Sequence, residues 1–446
     1  MTAIVLLLVA AVAPIVGRRV AGDVCPPPVI AASLWCGTLG LFGLRLLPYP
    51  PLGPASAALL AATVAMLVAG SAFAAAWVGR RPATVTARPV PSVWWGVAYA
   101  IAALAGTAWF VVTVLRTMPN GFSDAVALRH ALATYRIPST FLFLQLFAVV
   151  APLAILARGL GGARIPWPLA ILALLCAAGT VVSTDRTQSF LLVLSAAFMA
   201  AYRFGPEVSL RRSLLGGALA VVLLVAGFLA IETWVRKAPD QLGLFLRLPG
   251  LTWVAGRGAV PTTSSAAGVA LARAGQRLAG LYEYATGSYA ALDRLLDAPP
   301  PRTHGAHVIF PLLRPLERAG LIRGPSPSPI PGYVEICPEP IPGGAPLIFN
   351  AYTFLYYPLV DFGVVGALIY TLVIAGVSGA AYGWMRRDRR DPLRLLVAGQ
   401  VATALALTVF VNKFNNTPWW YVLVLTVLPY AATAGLRRAR VAVGRG

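Results

Sequence analysis

Arginine is the side chain whose placement in this sequence most directly suggests chemistry. Arg186 lies in the turn 183–188 (STDRTQ), and the 38 residues from 165 to 202 must hold this turn together with the apolar runs on both sides of it. Two full membrane spans need about 40 residues, so this turn is expected at headgroup depth or deeper. A charged side chain there is costly and is a functional candidate by default. The structural alternative is a pair with Asp185, or a side chain that extends back to the interface.

Three further arginines, Arg136, Arg302 and Arg314, lie in polar segments between apolar runs. The distribution of basic residues along the chain places all of them, like Arg186, on the less basic side of the membrane. A guanidinium donates two hydrogen bonds at once from a planar fork, which suits phosphate oxygens. Together these arginines predict a site for the phosphate or pyrophosphate of a lipid-linked substrate.

Asp361 is the leading candidate among the carboxylates. It directly precedes the apolar run 362–384, and Pro358 suits the first turn of the helix that this run predicts. A carboxylate at such a helix start is also stabilised by the helix dipole, by roughly 0.3–1 kcal/mol. A catalytic role and a purely structural one are therefore equally well supported by position alone.

The run RTHGAH (302–307) supplies two histidines close to Arg302. His304 could act as an acid or base because imidazole titrates near neutral pH. An ordinary solvated loop histidine is the competing interpretation. No carboxylate or thiol stands at the spacing that zinc sites use, so no metal site is predicted.

The composition places these residues in a membrane protein. Apolar residues make up 58% of the 446 and charged residues only 11%, against about 25% charged in soluble domains. The net charge of +21 comes almost entirely from arginine, and long uncharged runs separate the clusters. Nucleic acid is therefore not an expected partner, because nucleic-acid-binding surfaces are polar and rich in lysine.

Apolar runs predict an all-α, polytopic integral membrane protein with about eleven transmembrane helices and one large extracytoplasmic loop. The predicted spans are 2–16, 29–47, 55–79, 93–115, 139–157, 167–182, 189–202, 213–235, 359–384, 393–412 and 418–435. The first run lacks the leading cations and cleavage site of a signal peptide and is predicted to be retained.

Arginines concentrate in alternate loops and in the carboxyl-terminal tail, which places those segments in the cytoplasm and the amino terminus outside. The chain then divides into eight helices (1–235), an outer loop (236–350), and three helices with a basic tail (351–446). Within the loop, 268–297 predicts an amphipathic helix along the outer face. The stretch 325–344 is too rich in proline for regular structure and is predicted to be an extended lid.

Four segments together resemble one family. FNAYTFLYYPLVDFGVVGALIY (349–370) resembles the Asn-x-Tyr-Thr…Asp-Phe-Gly-x-x-Gly region of bacterial oligosaccharide repeat-unit polymerases, the O-antigen-polymerase-like membrane proteins. YEYATGSYAALDRLL (282–296), HVIFPLLRPLERAGL (307–321) and TDRTQSFLLVL (184–194) resemble other segments of that family. They occur in the family's order along the chain. P-loop, Rossmann and nucleophile-elbow motifs are absent.

The resemblance implies a glycosyltransferase that joins oligosaccharide units carried on polyprenyl pyrophosphate at the outer face of the bacterial plasma membrane. The motif positions it matches are Arg186, Asn350, Tyr352 and Asp361. In the mechanism expected from it, Arg186 binds the leaving pyrophosphate with help from Arg136, Arg302 and Arg314. The candidates for the base are, in falling order, Asp361, Glu283 and His304.

The same resemblance sets the expected partners: lipid-linked donor and acceptor, the bilayer, and a flippase or chain-length regulator. No cofactor is expected, since several arginines can supply the charge that a metal would otherwise provide. An outer-face ligase that transfers a finished glycan would have a similar donor site and stays open. A transporter of the lipid-linked unit is the weaker alternative, because the charged residues of the spans lie near their ends.

Overall fold

The computed structural model describes residues 2–47, 49–80, 91–117, 139–182, 186–212, 215–216, 266–318, 320–321, 334–337, 347–349 and 352–443. The helices in these ranges are α1 (Thr2–Ala21), α2 (Pro27–Gly43), α3 (Pro54–Gly79), α4 (Val93–Thr117), α5 (Ser139–Leu160), α6 (Trp167–Val182), α7 (Arg186–Phe204), α8 (Ala266–Asp297), α9 (Phe310–Arg318), α10 (Tyr356–Arg386), α11 (Pro392–Ala406) and α12 (Thr417–Val443). Two short strands, β1 (Val334–Cys337) and β2 (Leu347–Phe349), form an antiparallel pair.

The fold is that of a helical membrane protein. Among the described residues, seven helices are long and apolar enough to cross a bilayer: α1, α3, α4, α5, α7, α10 and α11. Large apolar side chains such as Trp94, Leu174 and Val365 are exposed on the helix surfaces, as lipid-facing residues are. The predicted spans within the described ranges coincide with helices, whereas most of 213–235 lies outside them. The total of about eleven spans stays a prediction.

Glycines bring α3 and α10 into close parallel contact. A Cβ at Gly383 would lie 2.6 Å from the carbonyl oxygen of Ala75, and one at Gly70 would lie 3.0 Å from the Cβ of Ala375. Gly379 faces the backbone of Ser71 in the same way. Small residues allow helix backbones to approach where lipid supplies no hydrophobic drive for association. This contact fixes the position of α10 against α3.

Arginines gather where α1, α7 and α10 end. Arg389 donates to both carboxylate oxygens of the buried Asp23, at 2.8 and 2.7 Å, and to the carbonyl of Tyr202 at 2.7 Å. Arg18 donates to the carbonyl of Val208 at 2.8 Å, and Arg387 donates to the end of α3. We call this face of the bundle the arginine end. Which side of the membrane it occupies stays a prediction.

The helix predicted over 268–297 is present as α8, but its second half lies in the protein core. Tyr289 is fully buried and its hydroxyl lies 2.5 Å from Thr38 Oγ1 of α2. The Tyr282 hydroxyl donates to the carbonyl of Leu41 at 2.7 Å, and Asp293 accepts from the amide of Gly53 at 2.9 Å. The prediction of a helix lying along the outer face is therefore wrong for these residues, because polar groups spaced along α8 pair with partners on α2 and the turn after it.

The proline-rich segment also departs from expectation. Its proline-free stretch Val334–Cys337 forms β1 and pairs with Leu347–Phe349, so the prediction of no regular structure is wrong there. Ile336 and Phe349 pack against Gly287 of α8, where a Cβ would lie 3.3 and 3.2 Å from them. The other residues of the predicted lid lie outside the described part of the chain. The sheet therefore fixes the chain just before residue 350 against α8.

Candidate functional site

A buried carboxylate organises the polar end of α10. Asp361 is only 1% exposed, and its Oδ1 accepts hydrogen bonds from the Thr303 hydroxyl and, at 3.2 Å, from the amide of His307. Its Oδ2 accepts from the amide of Val308 at 2.7 Å. The carboxylate thus closes the segment 302–308, which we call the clamped loop, onto α10.

The position of Asp361 depends on a break in the helix. Gly363 has φ 72° and ψ −167° within α10, a conformation that favours glycine because it has no Cβ. The carboxylate therefore lies just before the break, and loop donors hold it. The uninterrupted span begins after Gly363 and not at Phe362, so Asp361 does not occupy the first turn of that span. Three hydrogen-bond donors, and not the helix dipole, therefore stabilise its carboxylate.

Arg302 lies directly across this break. Its Nη2 is 3.0 Å from the point that a Cβ on Gly363 would occupy, so any larger residue there would meet the guanidinium. The Arg302 side chain is exposed, and Thr303, the next residue, donates its amide to the carbonyl of Val360 at 3.3 Å. The loop therefore holds an exposed cation over the interrupted helix.

His304 and Gly305 form the tight turn of the clamped loop. Both have positive φ, 49° and 98°. A non-glycine residue in this region is uncommon and persists where its surroundings hold it. A Cβ on Gly305 would lie 3.0 Å from Cζ of Phe362, so the turn sits directly on the end of α10. His304 is exposed at the apex of this turn, two residues after Arg302.

His307 lies on the buried side of the same loop. Its ring centroid is 5.6 Å from that of Tyr357 and 6.4 Å from that of Tyr356. Burial lowers the pKa of His307 from its ordinary value of 6.5, while the Asp361 charge opposes that change in part. The imidazole is therefore held in its neutral form at neutral pH.

Tyr352 joins this aromatic group from the chain that enters α10. Its ring centroid lies 4.6 Å from that of Tyr356, and the residue is buried. Burial, with a smaller effect from Tyr356, raises the pKa of Tyr352 to about 12, so its phenol stays protonated and can donate a hydrogen bond. We refer to Tyr352, Tyr356, Tyr357 and His307 as the aromatic group.

Four of the residues predicted from sequence are brought together: Asp361, Arg302, His304 and Tyr352. Glu283 lies half-buried on α8, one turn before the contact of that helix with the sheet. The structure places Arg186 at the start of α7 and Arg314 within α9, but their side chains lie outside the described part. Arg136 and Asn350 also lie outside it.

Sequence reasoning missed three residues of this site: Thr303, His307 and Gly363. Thr303 and His307 lie in the same RTHGAH run as His304, but nothing in the run indicates that the Thr303 hydroxyl and the His307 amide donate to Asp361. Gly363 belongs to Asp-Phe-Gly, where a glycine after a carboxylate and an aromatic residue could have signalled a helix break.

Within the described residues, no group of three or more histidine, cysteine or acidic side chains is arranged to hold a metal ion. No protein-family model, no curated protein and no solved structure matches the chain. The fold and the site thus define a class and no more: a helical membrane protein with a polar loop clamped on a broken helix.

Proposed function

We propose that the protein is a membrane glycosyltransferase that polymerises oligosaccharide units carried on polyprenyl pyrophosphate. The observation that carries this proposal is the position of the exposed Arg302, whose guanidinium lies over the break at Gly363. Asp361 is separated from the arginine end by the length of α10, about 35 Å at 1.5 Å per residue. The site therefore lies at the opposite membrane face from the arginine end.

The reaction needs a cation for the leaving group and a base for the acceptor. An acceptor hydroxyl oxygen bonds to the anomeric carbon of the donor sugar, and the bond from that carbon to the pyrophosphate oxygen breaks. The bonding electrons leave with polyprenyl pyrophosphate, and the hydroxyl proton passes to the base. Arg302 stabilises the departing negative charge, and Arg186, Arg136 and Arg314 are proposed to assist it.

The geometry changes the order of preference for the base. Both oxygens of Asp361 already accept hydrogen bonds from the clamped loop, so we assign this residue to positioning. His304 is exposed in the same loop as Arg302 and has a rarely populated backbone conformation, which supports it as the base. Glu283 is the second choice. Tyr352, with its protonated phenol, and Asn350 are proposed to bind the sugar.

The test uses the full-length protein in nanodiscs with native lipid-linked units extracted from a deletion strain. Wild-type protein should convert single units into longer lipid-linked chains with release of polyprenyl pyrophosphate. Arg302→Gln should lower the rate by about two orders of magnitude, the loss typical of removing one donor to a developing charge. Arg116→Gln is the matched control, because Arg116 is also an exposed arginine and lies at the end of α4.

The experiment also separates the alternatives. Full activity of Arg302→Gln would refute the role of Arg302, and loss of polymer in Arg186→Ala at normal membrane levels would support that of Arg186. Transfer of preformed polymer to a terminal acceptor, with no chain growth, would identify a ligase. Movement of lipid-linked units across liposomes without any bond formation would identify a transporter and refute the proposed function.

A further inference from the structure

A groove opens between α1 and the α3–α10 pair at the arginine end. Its volume is about 740 Å³, and apolar side chains form nearly all of its wall, from Val5 to Val20 along α1 and from Val68 to Ala76 along α3. Tyr382 and Arg386 of α10 close it at the arginine end. This feature plays no part in the proposed function, because it lies at the other end of the bundle from the clamped loop.

The groove exists because α1 is held by α2. Gly40 of α2 would place a Cβ 2.8 Å from Leu7 of α1, and Gly43 would place one 3.0 Å from Ala3. These glycines fix α1 against one neighbour, whereas the rest of the helix is largely exposed. The face of α1 that carries Val5, Val9 and Val12 therefore does not contact α3, and the groove separates the two helices.

The length of the groove suits hydrocarbon chains. The segment from Val5 to Val20 is about 22 Å long at 1.5 Å per residue. One leaflet of a bilayer contributes about 15 Å of hydrocarbon, half of the full thickness. The groove is thus long enough to take the acyl chains of a lipid from one leaflet.

The charge at the end of the groove selects the headgroup. Arg18, Arg387 and Arg389 donate to protein carbonyls or to Asp23. Arg386 is exposed on the groove wall, and its guanidinium carbon lies 5.9 Å from the centroid of the Tyr382 ring. An arginine above an apolar groove at headgroup level attracts an anionic lipid, with about 1 kcal/mol expected for each such cation.

We infer that this groove binds one phospholipid with an anionic headgroup, its acyl chains lying between α1 and α3 and its phosphate facing Arg386. The lipid would fill the gap that the α1–α2 contact leaves and would link α1 to the α3–α10 pair. Because the site needs both chains and charge, a soluble phosphate ester is not expected to occupy it.

Native mass spectrometry of the full-length protein in detergent tests this inference, with phosphatidylglycerol and phosphatidylcholine of identical acyl chains as probes. Wild-type protein should bind one phosphatidylglycerol about fivefold more tightly than phosphatidylcholine. Arg386→Gln should remove that preference, and Arg80→Gln, an exposed arginine at the same end outside the groove wall, should retain it. Soluble glycerol phosphate should not compete.

Filling the groove supplies the second arm of the test. Ala72→Trp on α3 and Val9→Trp on α1 should each lower the binding of both lipids, and Val9 is 42% exposed, so its replacement should not disturb folding. Equal binding of the two lipids by wild-type protein would overturn the inference, as would unchanged binding in Val9→Trp. A protein dimer that Val9→Trp dissociates, with no bound lipid, would identify a second copy as the occupant and also overturn it.

Discussion

Replacing Asp361 by asparagine tests whether this carboxylate holds the clamped loop. The substitution keeps the shape of the side chain but removes its charge and turns one oxygen into a donor. Asp361 Oδ1 has two donors, the Thr303 hydroxyl and the His307 amide, whereas Oδ2 has the Val308 amide at 2.7 Å. An asparagine can place its one oxygen toward only one of these two sets of donors, so at least one donor must lose its acceptor.

The expected cost follows from that geometry. A hydrogen bond to a charged group contributes about 1.5–3 kcal/mol, and a buried donor left without a partner costs about 1–3 kcal/mol. In its best orientation, the asparagine oxygen of Asp361→Asn still accepts two weaker hydrogen bonds, from the Thr303 hydroxyl and the His307 amide. Its NH₂ group then faces the Val308 amide, and two donors meet. We therefore expect opening of the loop to become easier by about 2–3 kcal/mol, which corresponds to roughly 30- to 160-fold.

Hydrogen exchange followed by mass spectrometry measures this opening directly. The amides of His307 and Val308 should exchange roughly 30- to 160-fold faster in Asp361→Asn than in wild-type protein. Asp293→Asn is the matched control, because Asp293 is another buried carboxylate but accepts from the Gly53 amide at 2.9 Å, away from the loop. It should leave exchange in the loop unchanged while affecting the amide of Gly53.

The result that would refute this reasoning is normal protection of the loop amides in Asp361→Asn. It would mean that the hydrogen bonds to Asp361 do not hold the loop closed, and the assignment of Asp361 to positioning would fail. Loss of glycosyl transfer with normal protection would instead return Asp361 to the role of base. Exchange and activity measured on one preparation therefore separate the two roles.

Two further predictions concern titration and charge. Burial lowers the pKa of His307 below 6.5, so the contribution of this group to stability is complete above about that pH and is lost as the pH falls below it. The thermal midpoint should therefore drop between pH 7.5 and 5. The drop should be smaller in His307→Gln than in the matched His304→Gln, and equal drops would contradict this prediction. Asp23→Asn should destabilise the protein by about 3–5 kcal/mol, because Arg389 would lose its buried partner. The exposed Glu207 forms an ion pair with Arg203 at the surface, so Glu207→Gln should cost less than about 1 kcal/mol in the same unfolding measurement. Similar losses of stability in both variants would refute the distinction between the buried and the exposed pair.

The helices could be predicted from sequence because they follow from composition over long windows. The run 55–79 appears as α3 (Pro54–Gly79) and 93–115 as α4 (Val93–Thr117), since a stretch of about 20 apolar residues has few alternatives in a bilayer. The buried location of α8 could not be predicted from sequence. Its leucine pattern predicts a helix, but its burial depends on Tyr282 and Tyr289 finding partners on α2, far away in sequence.

The site shows the same limit at closer range. Asp361 and His304 could be selected from sequence because charge and imidazole are conspicuous among apolar residues. Their roles could not, because the donors to Asp361 are two backbone amides and a hydroxyl from a loop more than fifty residues earlier. Residue type does not show which carboxylate oxygens are already occupied, and that occupancy decides between a base and a positioning residue.

Glycines have different structural roles at the two ends of α10. Toward the arginine end, Gly379 and Gly383 let the helix backbone approach α3 closely, which fixes the long segment after the break. At the other end, Gly363 interrupts the helix through its positive φ and leaves room for the guanidinium of Arg302. The clamped loop therefore rests on a helix that is immobilised by packing and not by the loop itself. Precise placement of catalytic groups requires such a rigid support, so we expect disruption of the α3–α10 contact to impair the site from a distance.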